Sequence, residues 1–223
     1  MSAQRRADRG VTLNGSYTVS RCWGTATTSA FNQTSAGYTN PDDPSYDAGP
    51  CEQDRTHLAT LSTGYETPML ANAALRAVAS HWRLSGILNA RSGDRLNITS
   101  GLDNALSGIT QQRPNKVSDD LYGAKTLTNY FNRAAFAQPT PGTLGNLTRN
   151  IAVGPTYWNV DLALSRLIPM GTRRMELRLE SFNLLNHFNW GNPQANFNSG
   201  QFGRITTQNG APRIMQFGIK YDF

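Results

Sequence analysis

The sequence predicts an all-β fold: about six antiparallel transmembrane strands with long loops, forming an open part of a barrel. Three observations predict it. Apolar and polar residues alternate with a period of two in separate runs. Long and short connections alternate strictly between those runs. Aromatic residues at the run ends sort into two belts.

The first run places Val11, Leu13, Gly15, Tyr17 and Val19 on one face, with Thr12, Asn14, Ser16, Thr18 and Ser20 opposite. In the second, Ala59, Leu61, Thr63 and Tyr65 oppose Thr60, Ser62, Gly64 and Glu66. The third sets Trp82, Leu84, Gly86, Leu88 and Ala90 against His81, Arg83, Ser85 and Asn89, with Ile87 the exception. The fourth alternates Trp158, Val160, Leu162 and Leu164 with Asn159, Asp161, Ala163 and Ser165. After a tight turn at 169–172, Met175, Leu177 and Leu179 alternate with Glu176, Arg178 and Glu180. The last run has Met215, Phe217, Ile219, Tyr221 and Phe223 on one face and Gln216, Gly218, Lys220 and Asp222 on the other, with Ile214 at its start. Each run approaches the roughly 9–11 residues that cross a bilayer at a tilt.

A soluble antiparallel sheet with one wet face gives the same alternation. The connections separate the two. Long stretches at 24–55, 93–157 and 185–212 alternate with a shorter link at 68–80, where Leu75 and Val78 fit one helical turn, and with the tight turn. Barrels in bacterial outer membranes have long extracellular loops and short periplasmic turns, so the chain is expected to end on the periplasmic side. Trp23 and Trp158 fall beside long loops, whereas Tyr65, Trp82, Tyr221 and Phe223 fall beside short turns or the terminus. Those are the two interfacial girdles of such a barrel.

Composition is silent on the membrane. Hydrophobic residues are 38% of the chain, mean hydropathy is −0.48, and no stretch approaches the ~20 apolar residues of a membrane helix. Net charge is +6, but the basic residues are scattered, with no run beyond a pair such as Arg5–Arg6, so no nucleic-acid partner is expected. Cys22 and Cys51 lack metal-type spacing. They lie near the ends of one long loop, which permits a disulfide, though two free thiols are equally compatible with the sequence. The start, Met-Ser-Ala-Gln-Arg-Arg, has no apolar signal region, so a barrel of this kind is expected to be a fragment or to begin upstream.

No catalytic constellation stands out, and neither an enzyme nor a cofactor is expected. His57, His81 and His187 stand in separate segments without ligand spacing. Sequons at Asn32, Asn97 and Asn146 carry little meaning in a bacterial barrel. Asp42, Asp43, Asp47, Glu52 and Asp54 offer oxygen ligands but lack the order of a Ca²⁺ loop, and a solvated acidic loop is the plainer reading. Glu176, Arg178 and Glu180, with Asp161 on the neighbouring strand, read as a lumen-side ion-pair ladder rather than a substrate path.

The ending Met215, Phe217, Ile219, Tyr221, Phe223 resembles the C-terminal β-signal of outer-membrane proteins, which the barrel-assembly machinery reads. The segment Glu180-Ser-Phe-Asn-Leu-Leu-Asn-His-Phe-Asn-Trp-Gly-Asn-Pro193 resembles the penultimate strand and loop of TonB-dependent transporters of the Oar-like group, which carry carboxypeptidase-regulatory-like N-terminal domains. So do Phe202-Gly-Arg-Ile205, Trp158-Asn-Val-Asp-Leu-Ala-Leu-Ser-Arg166, and Phe131-Asn-Arg-Ala-Ala-Phe136 leading to Gly145-Asn146. Ser20-Arg-Cys22, Gly49-Pro-Cys51 and Asp54-Arg-Thr-His57 look like the hairpin before them. The resemblance implies that residues 1–223 form the C-terminal part of the barrel domain, with the plug domain and energy-coupling box absent. It also implies outer-membrane lipid, the assembly machinery and, through the missing N-terminal part, the TonB complex as partners. A structural or adhesive envelope barrel and a secreted soluble β-sandwich lectin are the competing readings.

Overall fold

The computed structural model describes residues 2–6, 10–25, 38–109 and 111–223. Its main feature is a seven-stranded antiparallel sheet in which every strand pairs with its neighbour in the chain. The strands are β1 (Ser2–Arg6), β2 (Val11–Val19), β3 (His57–Glu66), β4 (Trp82–Arg91), β5 (Tyr157–Met170), β6 (Arg173–Phe182) and β7 (Ile214–Asp222). One helix, α1 (Ala73–Ala79), sits in the link between β3 and β4. The sheet is open, with β1 and β7 at its edges.

Cross-strand register carries the alternation of each strand across the whole sheet. Val11, Tyr65, Leu84, Leu164, Leu179 and Phe217 form one transverse row through successive pairs. One residue along, Thr12, Gly64, Ser85, Ala163, Glu180 and Gln216 form a row on the opposite face. A slip of one residue at any pair would put polar groups among apolar ones, so the pattern fixes the register. Much of the apolar face is open to the surroundings: Val11, Leu13, Tyr17, Leu84, Leu179, Phe217 and Ile219 are exposed, while Leu162, Leu164 and Leu177 are half-buried. Among the described residues no second sheet covers either face. That excludes the soluble sandwich, whose apolar faces would be packed together.

The structure corrects the strand count from about six to seven. Ser2-Ala-Gln-Arg-Arg has no alternation to betray β1, which forms by pairing with Thr12–Ser16. The turn before β6 is also tighter than expected. Only Gly171 and Thr172 separate the strands, and Gly171 adopts φ +68°, a conformation glycine favours at the head of a two-residue hairpin turn. Pro169 lies inside β5 and pairs with Arg174. Beyond Arg166, β5 has a neighbour on one side only, so a residue without an N–H is tolerated there.

The hydrophobic core is not in the sheet. Ile98, Leu121, Tyr130, Phe131, Phe136, Leu147, Phe197, Phe202 and Ile205, with Ala135 and Ala152, cluster in the long loops. The described residues of 38–56, 93–156 and 183–213 thus fold into a cap at the long-loop end of the strands. Three two-residue ladders stitch it: Trp23–Gly24 with Gly49–Pro50, Arg95–Leu96 with Ala152–Val153, and Asn115–Lys116 with Phe136–Ala137.

Candidate functional site

The polar face of the sheet and the cap above it form the candidate site. On the polar face, strand periodicity aligns Asn14 and Ser62 with Ile87 and Asp161, and Ser16 and Thr60 with Asn89 and Asn159. Ile87, the exception in the sequence pattern, joins Leu58 as an apolar side chain on this largely polar wall. Near the cap, Leu58, Thr60, Asn89, Arg91, Tyr157 and Asn159 line a depression of about 320 Å³. The Arg91 guanidinium lies 4.6 Å above the Tyr157 ring. Toward the short-turn end, Arg83 meets Glu66 at 3.3 Å and Arg178 meets Glu180 at 2.7 Å. The ion-pair ladder is therefore present in part. Asp161 is not a rung of it, because its Oδ1 accepts from Asn159 Nδ2 at 2.9 Å and from the Asn183 backbone N–H at 2.8 Å.

The cap is held by buried charge as well as by aromatic packing. Arg113 is fully buried, and its Nη1 meets Asp47 Oδ1 at 2.7 Å. Its Nη2 donates to the Tyr46 carbonyl at 2.6 Å, its Nε donates to the Leu147 carbonyl at 2.8 Å, and the guanidinium stacks 4.0 Å over the Tyr46 ring. A second cluster joins Arg95 to Asp54 at 3.0 Å and Arg55 to Asp94 at 2.7 Å, while Asn192 donates to Asp94 at 2.9 Å. These bonds correct the reading of a solvated acidic loop at two of its acids, whereas Asp42, Asp43 and Glu52 are exposed as that reading expects. Asp47 and Asp54 are buried in ion pairs, because each must bring a cation into the cap to be buried at all. Among the described residues no group of three or more His, Cys, Asp or Glu is placed to hold a metal ion.

Cys22 and Cys51 are joined, with Cα atoms 5.3 Å apart, across a sequence separation of 29. Closing a loop of this size stabilises by roughly 3–4 kcal/mol in the chain-entropy model. The histidines lie far apart in role: His57 Nδ1 meets the Tyr17 hydroxyl at 2.7 Å, His81 precedes β4, and the His187 ring stacks on Trp158 at 4.1 Å. The sequon at Asn32 lies outside the described residues.

Two of the motifs quoted from the sequence meet in the cap core. Phe131 and Phe136 of one motif, and Phe202 and Ile205 of another, are core members of the cap. Phe131 stacks on Phe202 at 5.6 Å, and Phe136 meets Phe202 edge-on at 5.5 Å. Between Phe202 and Ile205, Gly203 takes φ +76° with the Phe131 backbone so near that a Cβ would crowd it. Arg113, the cation that meets Asp47, carries no signal in the sequence. A lone arginine in a long loop gives no periodic signal.

Burial pushes the Tyr130 phenol up to about 12, with the neighbouring Tyr122 adding to the rise. Its hydroxyl donates to the Val153 carbonyl at 3.1 Å. Because the folded value lies above the ordinary 10.0, Tyr130 stabilises the cap below pH 10, and that contribution is lost as pH rises toward 12. Protease sensitivity of the cap is expected to increase across that window. A cap whose resistance stays constant to pH 12 would contradict this.

The terminal residues fall as the alternation implies. Met215, Phe217, Ile219 and Tyr221 line the apolar face of β7, and Phe223, 96% exposed, meets Tyr221 edge-on at 5.1 Å. An antiparallel meander with one exposed apolar face, one polar face and a packed loop cap at one end defines the class of membrane-spanning β-barrel proteins. The family model described as an outer membrane beta barrel domain matches residues 1–216. The chain belongs to that family, and its location is the bacterial outer membrane. No curated protein and no solved structure matches it.

Proposed function

We propose that this chain is the C-terminal wall and part of the extracellular cap of a TonB-dependent outer-membrane transporter, a non-enzymatic component that takes up a scarce, bulky substrate. The observation that carries the reading is where the transporter-like motifs fall. The segments 131–136, 180–193 and 202–205 meet in the cap, at the end of the polar face where a substrate would enter. The polar wall beneath offers hydrogen-bonding and charged groups rather than a catalytic set, as a plugged barrel of about 22 strands requires. In this reading outer-membrane lipid covers the apolar face, and the barrel-assembly machinery reads β7 from Met215 to Phe223. The TonB complex acts through a part of the protein outside this chain, and no cofactor takes part.

The test is the genomic sequence upstream of Met1, together with the mass of the outer-membrane protein that yields these peptides. A plug domain and earlier strands in one reading frame, in a product far larger than 24.5 kDa, agree with transport. A signal peptide directly before Met1 and a 24.5-kDa product would overturn it. In the larger protein, deleting Phe223 is expected to reduce the heat-modifiable, assembled form. Asp222→Asn, on the opposite face, should leave its level unchanged.

A further inference from the structure

Residues 68–80, at the short-turn end, form a link with a helix of its own. The segment reads Pro-Met-Leu-Ala-Asn-Ala-Ala-Leu-Arg-Ala-Val-Ala-Ser, with Arg76 its single charge. Asn72 caps α1, its Oδ1 accepting from the N–H groups of Ala74 at 3.0 Å and Leu75 at 3.2 Å. No residue of the helix is buried. Met69 is 70% exposed, Val78 68% and Leu75 57%. In water such a segment would present its apolar side chains with nothing gained.

Two further observations say what surrounds it. First, side chains satisfy its backbone carbonyls. Arg76 folds back so that Nε donates to the Leu70 carbonyl at 2.8 Å and Nη2 to the Ala71 carbonyl at 2.9 Å. Ser80 Oγ donates to the Pro68 carbonyl at 3.1 Å, Trp82 Nε1 donates to the Val78 carbonyl at 2.8 Å, and Arg166 donates to the Ala77 carbonyl. Carbonyls facing water need no such partners, whereas carbonyls at the edge of hydrocarbon do. Second, the anchors come from the apolar face of the sheet. Trp82 and Arg166 pair across β4 and β5 on the side of Leu84 and Leu164, and the Arg166 guanidinium lies 5.2 Å from the Trp82 ring. The helix is therefore continuous with the lipid-facing band.

We propose that α1 is an interfacial anchor, lying in the inner leaflet of the outer membrane with Met69, Leu75 and Val78 among the upper acyl chains. The expected depth is that of a surface-lying helix, about 5–10 Å into the headgroup–acyl boundary. Arg166 reaches from the wall to the headgroup level, as long basic side chains do at a membrane edge.

The experiment uses the intact outer-membrane protein in phosphatidylethanolamine–phosphatidylglycerol vesicles, with a polarity-sensitive fluorophore on Leu75→Cys, on Val78→Cys, or on Thr172→Cys in the neighbouring turn. Only the heat-modifiable, folded fraction is read, so a misfolded variant cannot imitate a result. At 75 and 78 the emission is expected to shift to the blue of that at 172. Quenching there should come from lipids brominated near the headgroup and not from aqueous iodide. Emission and iodide quenching equal to those at 172 would place the helix in water and overturn the proposal. Protection from both quenchers would overturn it too, since a protein partner or a second copy would then cover the helix.

Discussion

Replacing Arg113 with alanine is expected to open the extracellular cap at a cost of about 3–5 kcal/mol, the range for breaking a buried ion pair by removing one partner. Asp47 would keep the Thr39 N–H, which it accepts at 2.6 Å, but would lose its only counter-charge among the described contacts. The carbonyls of Tyr46 and Leu147 would lose charged donors, and the Tyr46 ring its cation. Three stretches far apart in the chain, around residues 46, 113 and 147, are tied by this one side chain. Limited proteolysis of the folded protein in outer membranes checks it. Cleavage should become fast within the cap while the heat-modifiable barrel persists. The double replacement Arg113→Met with Asp47→Leu should recover most of the resistance, because removing both charges avoids the orphan. A single variant as resistant as the parent would show that the pair does not hold the cap.

Phe217→Arg is expected to destabilise the barrel by about 2–4 kcal/mol, the cost of a basic side chain near the bilayer midplane. Phe217 ends the transverse row that begins at Val11, stands mid-strand, and is 66% exposed toward the apolar side. Its neighbour Gln216 belongs to the polar row beside Glu180, so Gln216→Arg should cost little and find a carboxylate across the strand pair. Urea unfolding of the protein in vesicles reads both. Equal losses at 216 and 217 would mean that the two faces do not differ in what they touch.

The sheet was legible because one physical rule acts along it. Each strand meets lipid on one side and polar surroundings on the other, so a period of two is written into Val11–Val19, Trp82–Arg91 and Ile214–Asp222 alike. Where that rule is relaxed, legibility fails. β1 has no alternation, and Pro169 reads as a turn although it continues β5. The cap was illegible for a different reason. Its core draws single residues such as Ile98, Leu147 and Ile205 from irregular backbone, and only the final packing reveals that they meet. The buried Arg113–Asp47 pair spans 66 residues of sequence and leaves no local trace.

The cap has a consequence for the order in which the protein reaches its final state. Asn150 donates to the Pro50 carbonyl across 100 residues, Asn192 to Asp94 across 98, and Arg133 to the Ser199 carbonyl across 66. Each of these contacts joins two different loops and cannot form until both have passed to the outer side, so the cap cannot pack before the strands that carry those loops are placed. The loops must therefore travel as loose chain while their aromatic residues are still unshielded. Collapse comes last, after the strands that carry them have begun to pair. Once collapsed, the cap acts as a latch: drawing any one hairpin back through the membrane would first require taking apart a core that lies wholly on the far side.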